Sequence, residues 1–435
     1  MNTYSSYKDS GIEWMGNIPE SWELTKNRFG FLKHKNGLNE SDDTNVLSLT
    51  TTGVKVKRDL NFGKSSESYI GHQLVEQGDI VFTPRDFDQT PILSDVSKYE
   101  GCISNLYIVD KTKENVLNRY VNYYWYGLKY SVDYFKNFSH GMRYSFNRFQ
   151  FDEIPLLIPS LREQQQISDY LDYKTSKIDI LIEKTQQKIE LLKEQRTSLI
   201  NTTVTKGLDP NVGMKDSGIE WIGEIPSGWS VKRLKYTSKI LPSNVDKHIF
   251  PEEIQVRLCN YTDVYYNELI DENTQLTKGS CNQNEYNKLW LREGDVIITK
   301  DSETSDDIGI PTEVKENLTD VVCGYHLTLI RPLDVVGSYI FRFIQSDRIR
   351  RYFEINSDGV TRFGLGKPTI QNMYLPIPPL QEQQQISDYL DKETSKIDKL
   401  VDIESKRIIL LKEYRQSLIS DVVTGKVDVR DEVLG

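Results

Sequence analysis

The sequence predicts an α+β chain built by duplication, with two globular domains each tied to one long helix. Three observations carry this reading. A helical stretch at residues 161–204 returns almost unchanged at residues 380–423, with ten consecutive identities between residues 163–172 and 382–391. An opening motif, KDSGIEWMGNIPESWEL at residues 8–24, returns as KDSGIEWIGEIPSGWSV at residues 215–231, identical at 11 of 17 positions. Between motif and helix the halves diverge, yet a skeleton of short β-rich runs survives in both.

The helical stretches contain no Gly or Pro and are rich in Leu, Glu, Lys and Gln, which favour helix. Apolar residues recur at steps of four and three: Ile178, Ile182, Ile189, Leu192 and Leu199, then Ile397, Val401, Ile408, Leu411 and Leu418. That spacing is a coiled-coil seam. Thr185 and Glu404 interrupt it at matching places, as do Arg196 and Arg415, which are read as seam residues that set register. One apolar stripe on a lone helix stays wet, so the two helices are expected to pack on each other. A spacer of ~30 residues would span ~45 Å.

At 435 residues the chain has ample material for two or three cores. Charged residues make up 27% and there are 25 Tyr, the mark of a soluble chain with aromatic-rich surfaces. A net charge of −10 argues against a stand-alone nucleic-acid binder, which is usually basic. It leaves room for a locally basic face, or for partners that supply phosphate contacts. Cys102, Cys259, Cys281 and Cys323 lie far apart without a CxxC pair, and there are five His, so neither a zinc site nor a disulfide framework is expected. The opening MNTYSSYKDSG is polar and no run approaches 18 apolar residues. A cytoplasmic protein with no membrane partner is expected.

Each opening motif sets turn formers around two indoles, Trp14 and Trp22, then Trp221 and Trp229. An irregular loop pinned by buried indoles is the favoured reading, and stacking on DNA bases is the other. Further along, QGDIVF (77–82) parallels EGDVII (293–298), each a Gly-Asp turn entering a strand. These strands exit into the polar loops Thr83-Pro84-Arg85-Asp86 and Thr299-Lys300-Asp301-Ser302. VLSLTTTG (46–53) parallels VRLCNYTD (256–263), again strand and then polar loop. Arg143-Tyr144-Ser145-Phe146 sits opposite Arg362-Phe363-Gly364-Leu365, and both precede an apolar run ending at Pro159 or Pro378-Pro379. The domains are therefore 1–160 and 207–379, with helical spacers at 161–206 and 380–435, the second including the C-terminal tail. Because residues 204–209 lead into the second opening motif, the tail after residue 423 is expected to meet the first.

Enzyme signatures are mostly missing. No Asn/Asp-Pro-Pro-Tyr/Phe tetrapeptide, HExxH or GxSxG occurs. Gly364-Leu365-Gly366-Lys367-Pro368-Thr369 fails as a phosphate loop: Thr361 replaces the leading Gly, and Pro368 breaks the Lys-Ser/Thr adjacency. The acidic run DSETSDD (301–307) reads as a solvated loop. Duplication without a catalytic constellation points to two-site recognition. Successive turns of duplex DNA repeat every ~34 Å, within reach of two heads on such a spacer.

Taken together, the doubled KDSGIEW–G–IP–W motif, the Gly-Asp-Ile/Val strand, P-x-L-x-EQQQI-x-x-L-D, I-D-x-L and LLKE-x-R-x-SLI resemble the specificity (S) subunit of Type I restriction–modification systems, over nearly the whole chain and twice in order. The resemblance implies two target-recognition domains, each reading one half of a split double-stranded DNA target, and two antiparallel helices forming a coiled coil between them. It implies no catalysis and no cofactor on this chain. S-adenosylmethionine and ATP would belong to its partners, two adenine methyltransferase subunits and, in the full complex, two restriction subunits. The methyltransferases are expected at the helix starts, near Gln164, Gln166, Gln383 and Gln385. For DNA contact the candidates are Arg85, Arg143, Tyr144, Lys300, Arg362 and Lys367, chosen for loop position and for the matched placement of Arg143 with Arg362 and, loosely, Arg85 with Lys300. The rival readings are a stand-alone DNA methylase or nuclease with a disguised site, and a duplicated scaffold without a DNA role.

Overall fold

The computed structural model describes residues 2–33, 37–58, 68–87, 91–139, 141 and 144–432. The chain divides into two compact units, Met1–Gln186 with Ser405–Gly435, and Gln187–Glu404. Each unit thus holds one globular domain together with segments of both long helices, Leu161–Lys206 and Leu380–Val423. These helices are 46 and 44 residues long, beyond the ~30 a bare spacer needs, because their terminal turns are built into the domains.

In the first unit a four-stranded antiparallel sheet runs in the order Phe31–Lys33, Ile108–Thr112, Ile80–Phe82, Ser94–Val96. The helix Asn118–Val132 covers it and buries Tyr120, Tyr124, Trp125 and Leu128. The core is aromatic: Trp125 stacks on Phe31 at 5.4 Å between ring centroids and meets Phe82 and Phe151 edge-on. The second unit repeats this sheet as Ser238–Pro242, Leu327–Pro332, Val296–Thr299 and Pro311–Val314, and adds Leu269–Ile270 in parallel at the edge. Its core is mainly aliphatic, around Val296, Ile298, Ile330 and Ile340. A second sheet of four strands (Thr277–Cys281, Ile254–Cys259, Leu318–Cys323, Trp290–Leu291) packs beside it. The four cysteines are buried and unbridged.

The Gly-Asp turns behave as their sequence suggests. Gly78 and Gly294 take φ of 93° and 81°, and the following Asp closes each turn by accepting the backbone N–H three residues earlier. Asp295 is fully buried and also takes a bidentate hydrogen bond from Arg331, at 2.9 and 2.7 Å. Arg331 also donates to the carbonyls of Lys288 and Trp290, tying one sheet to the other. The strand partners Ile80↔Asp110 and Val296↔Ile330 put Lys111 in the place of Arg331, and Lys111 pairs with exposed Glu76 instead.

One expected loop is helical. After Val256–Cys259 the chain enters Tyr261–Tyr266, because Asn260 and Asp263 form a reciprocal capping box. The matching position in the first unit is a turn between Leu47–Thr50 and Gly53–Val56.

The opening motifs are structural. Each ends in a strand that pairs with the apolar run before the helix: Glu23–Lys26 with Pro155–Ile158, and Ser230–Arg233 with Tyr374–Ile377. Trp22 and Trp229 are buried, while Trp14 packs on Tyr134 and Trp221 on Tyr352. The C-terminal tail meets the first motif. Gly425 lies against Pro19 and Trp22, Asp428 pairs with Asn2, and Tyr7 Oη donates to the Gly425 carbonyl. Gly207 lies against Pro226 and Trp229 in the same manner.

The ten identical residues of the repeat have a physical role inside each unit. Glu163 accepts from Trp22 Nε1 at 3.0 Å and Tyr4 Oη at 2.8 Å; Glu382 accepts from Trp229 Nε1 at 3.0 Å. Gln164 accepts the backbone N–H of Leu117 at 2.7 Å and donates to the carbonyls of Pro159 and Asn115. Gln383 repeats this with Val336 and Pro378. Asp172 takes the Tyr123 hydroxyl, and Asp391 takes Arg342. Together these bonds fasten helix to domain. Gln164→Ala leaves a backbone donor and two carbonyls without their partner, so a loss of about 1–3 kcal/mol is expected in denaturant unfolding; no change in midpoint would contradict it.

The seam forms within each unit. In the second, Arg196 pairs with Asp398 at 2.9 Å and Lys188 with Glu404 at 2.6 Å, so residue numbers fall on one helix as they rise on the other. The helices are antiparallel there. In the first unit Arg415 pairs with Asp179 at 2.9 Å, the reciprocal of the Arg196 pair. Ile178, Ile189, Ile397, Ile408 and Leu418 are buried, whereas Leu192 is only half-buried.

Candidate nucleic-acid interface

Two loops come together in each unit. In the first, Arg85 bridges Ser145 and the Phe146 N–H donates to the Pro84 carbonyl. In the second, Asp301–Ser302 pairs with Phe363–Gly364, and the Leu365 N–H donates to the Lys300 carbonyl. The polar loops chosen from sequence are therefore cross-strand partners in both halves. Their register shifts the expected match by one residue: Lys300 answers to Pro84, and Arg85 to Asp301.

Arg85 is exposed, next to Asp86 in the left-handed region (φ 57°). Tyr144 is half-buried, with Lys136 Nζ 5.4 Å from its ring centroid. Arg143 lies outside the described residues. In the second unit Lys300 is half-buried, its Nζ 5.5 Å from the Tyr325 ring centroid and 3.4 Å from the Ser243 carbonyl oxygen. Arg362 is exposed, and its Nη2 lies 3.4 Å from both ring nitrogens of His326. Its loop is held by the pairing of Phe363–Gly364 with Asp301–Ser302. Lys367 is exposed at the first turn of Lys367–Asn372 and is not among the residues lining the cleft beside Arg362.

That cleft, of about 850 Å³, is walled by the helix Tyr261–Tyr266 and by both paired loops. The acidic run is only partly solvated. Asp301 Oδ2 bonds His326 Nδ1 at 2.5 Å, and Asp307 accepts from Tyr265 Oη at 2.7 Å, which pushes the Tyr265 phenol up to about 12. His326 is held in the left-handed region, φ 67°, between two strands. Sequence reading missed it because a single His in a Gly-Tyr-His turn matches no motif. Among the described residues no group of three or more His, Cys, Asp or Glu could hold a metal ion, and no helix is long and apolar enough to cross a membrane.

The partner candidates separate by exposure. Gln164 and Gln383 are buried and engaged inside the units, so the structure does not offer them to a partner. Gln385 is exposed; Gln166 is half-exposed and donates to the Arg430 carbonyl.

Fold and loops together define a duplicated binding protein, in which a near-identical helical frame carries two domains with different polar loops. The family model for the Type I restriction modification DNA specificity domain matches residues 30–191 and 226–414, and the chain belongs to that family. A putative type I restriction enzyme MjaX specificity subunit of Methanocaldococcus jannaschii is 23% identical over 96% of both chains. The MjaVIII specificity subunit of the same organism is 23% identical over 76% of both. In fold, the chain is similar to a subunit in a structure of a type I R-M system solved for its assembly and conformational transition (TM-score 0.64, 15% identity, 94% and 99% covered). The HsdS subunit from Thermoanaerobacter tengcongensis gives a TM-score of 0.53 at 15% identity, with 94% and 98% covered.

Proposed function

We propose that this chain is the non-catalytic DNA-recognition subunit of a Type I restriction–modification complex, each domain reading one block of a split target. The observation that carries this is the paired-loop site: the same two loops meet in both units, yet one carries buried Pro84 and exposed Arg85 where the other carries half-buried Lys300 and Asp301. A conserved frame with changed loops is what reading two different sequences requires. Incubating the purified chain with labelled S-adenosylmethionine and DNA, with and without the methyltransferase subunit, tests it. Methylation only in the presence of the partner supports the reading; activity of the chain alone favours a stand-alone methylase. A scaffold without a DNA role predicts no salt-sensitive DNA binding even in the complex.

The methyltransferase partners dock on the helices. Leu181 and Leu400 occupy the same repeat position and are 41% and 43% exposed, while Leu191 and Leu410 are 64% and 63% exposed. Two equal sets of wet leucines suit two copies of one partner. Half-exposed Gln166 and exposed Gln385 remain proposed partner contacts at the helix starts, apart from these leucines. Leu191→Lys and Leu410→Lys are each expected to remove one methyltransferase, read as a mass step by light scattering; full occupancy in both variants would place the partner elsewhere. S-adenosylmethionine and ATP would be held by the methyltransferase and restriction subunits respectively.

A further inference from the structure

We infer that Arg362 reads the edge of a guanine in the block recognised by the second domain, and that His326 and Asp301 are the positioning residues that hold it for this task. The inference rests on the DNA-recognition reading and names the base. Arg362 Nη2 is equally distant, 3.4 Å, from Nδ1 and Nε2 of His326. An in-plane approach at that distance would overlap Cε1 of the ring, so the guanidinium nitrogen sits over the ring face. The ring itself is fixed: Asp301 grips Nδ1 at 2.5 Å, and the left-handed backbone of residue 326 sets the direction of the side chain. A guanidinium held at Nη2 by a fixed ring keeps its remaining N–H donors for a second partner lying in its own plane.

Two kinds of acceptor suit that fork, a phosphate or the O6/N7 edge of guanine. Electrostatics chooses between them. Asp301, Glu303 and Asp307 line the same cleft, and Arg362 is its one permanent cation among the lining residues. Three carboxylates oppose a phosphate but not a neutral base, and Glu303, which is exposed, can accept the exocyclic amine of a neighbouring cytosine or adenine. The first unit cannot build the same device, since Arg85 stands where Asp301 would be needed. The two blocks are therefore read by different chemistry.

The test uses the complex of the full chain with its methyltransferase, a duplex library with randomised positions, and S-adenosylmethionine, followed by sequencing of the methylated duplexes. The unaltered chain should yield two specified blocks, with a guanine in the block assigned to the second domain. Arg362→Ala should lower the preference for that guanine by on the order of 5- to 150-fold and leave the other block intact. Arg362→Gln should shift the position toward adenine, whose N6/N7 edge suits an amide. His326→Ala should weaken the same position and no other, which a merely structural loss would not do. Uniform loss of methylation across all sequences in the Arg362 variants would make the contact a phosphate one and overturn the inference. An unchanged block, or a block without guanine, would also overturn it. Absence of any two-block preference with the unaltered chain would instead remove the recognition reading beneath it.

Discussion

Arg331→Ala is expected to destabilise the second unit by about 3–5 kcal/mol, because it leaves the Asp295 carboxylate buried without its partner. Asp295 is 1% exposed and sits in the turn that starts Val296–Thr299, a central strand of the five-stranded sheet. Arg331 supplies two of the bonds on that carboxylate and also satisfies the carbonyls of Lys288 and Trp290. The loss would therefore reach both sheets. The double variant Asp295→Asn with Arg331→Met is expected to recover much of the stability, since both charges then go and the methionine retains apolar bulk. Urea unfolding of these two variants beside the unaltered chain checks this, and an Arg331→Ala midpoint equal to that of the unaltered chain would contradict it. In the first unit, Lys111→Ala should cost far less, because Lys111 and Glu76 form an exposed pair.

Ile189→Asp is expected to cost several kcal/mol by placing an unpaired charge in the helix seam. Ile189 is 5% exposed, between the seam pairs made by Lys188 and Arg196. Leu192, only half-buried, would let an introduced carboxylate reach water and is the milder site. The functional consequence concerns spacing. If the helix pair sets the separation between two recognised blocks, a loosened seam should blur that separation while each block keeps its bases. Sequencing of methylated sites would show this as a spread of gap lengths. A sharp, unchanged gap in a variant shown to be destabilised would mean that something other than the seam sets it.

The duplication, the antiparallel helix pair and the α+β domains were readable in advance because they rest on repetition and periodicity, which the chain displays openly. Arg196 and Arg415 could be recognised as seam residues for the same reason: they break an apolar pattern at equivalent places. The fastening of helix to domain was not readable. Glu163 and Gln164 look like an ordinary polar helix start, and their partners Trp22 and Leu117 lie 141 and 47 residues away. The Gln164 and Gln383 side chains, expected at a partner surface, are consumed by this long-range bonding. The match between the loops was off by one because register is decided by strand pairing, which composition does not encode. Asp295–Arg331 and Asp301–His326 stayed hidden for a related reason. Each pair is made adjacent only when strands line up.

The measurement that most directly tests the account is a map of methylated adenines in a genome carrying this chain together with its methyltransferase subunit. The account predicts one split motif, two specified blocks separated by a constant unspecified gap. A motif that is continuous, or one that the methyltransferase alone reproduces, would contradict it.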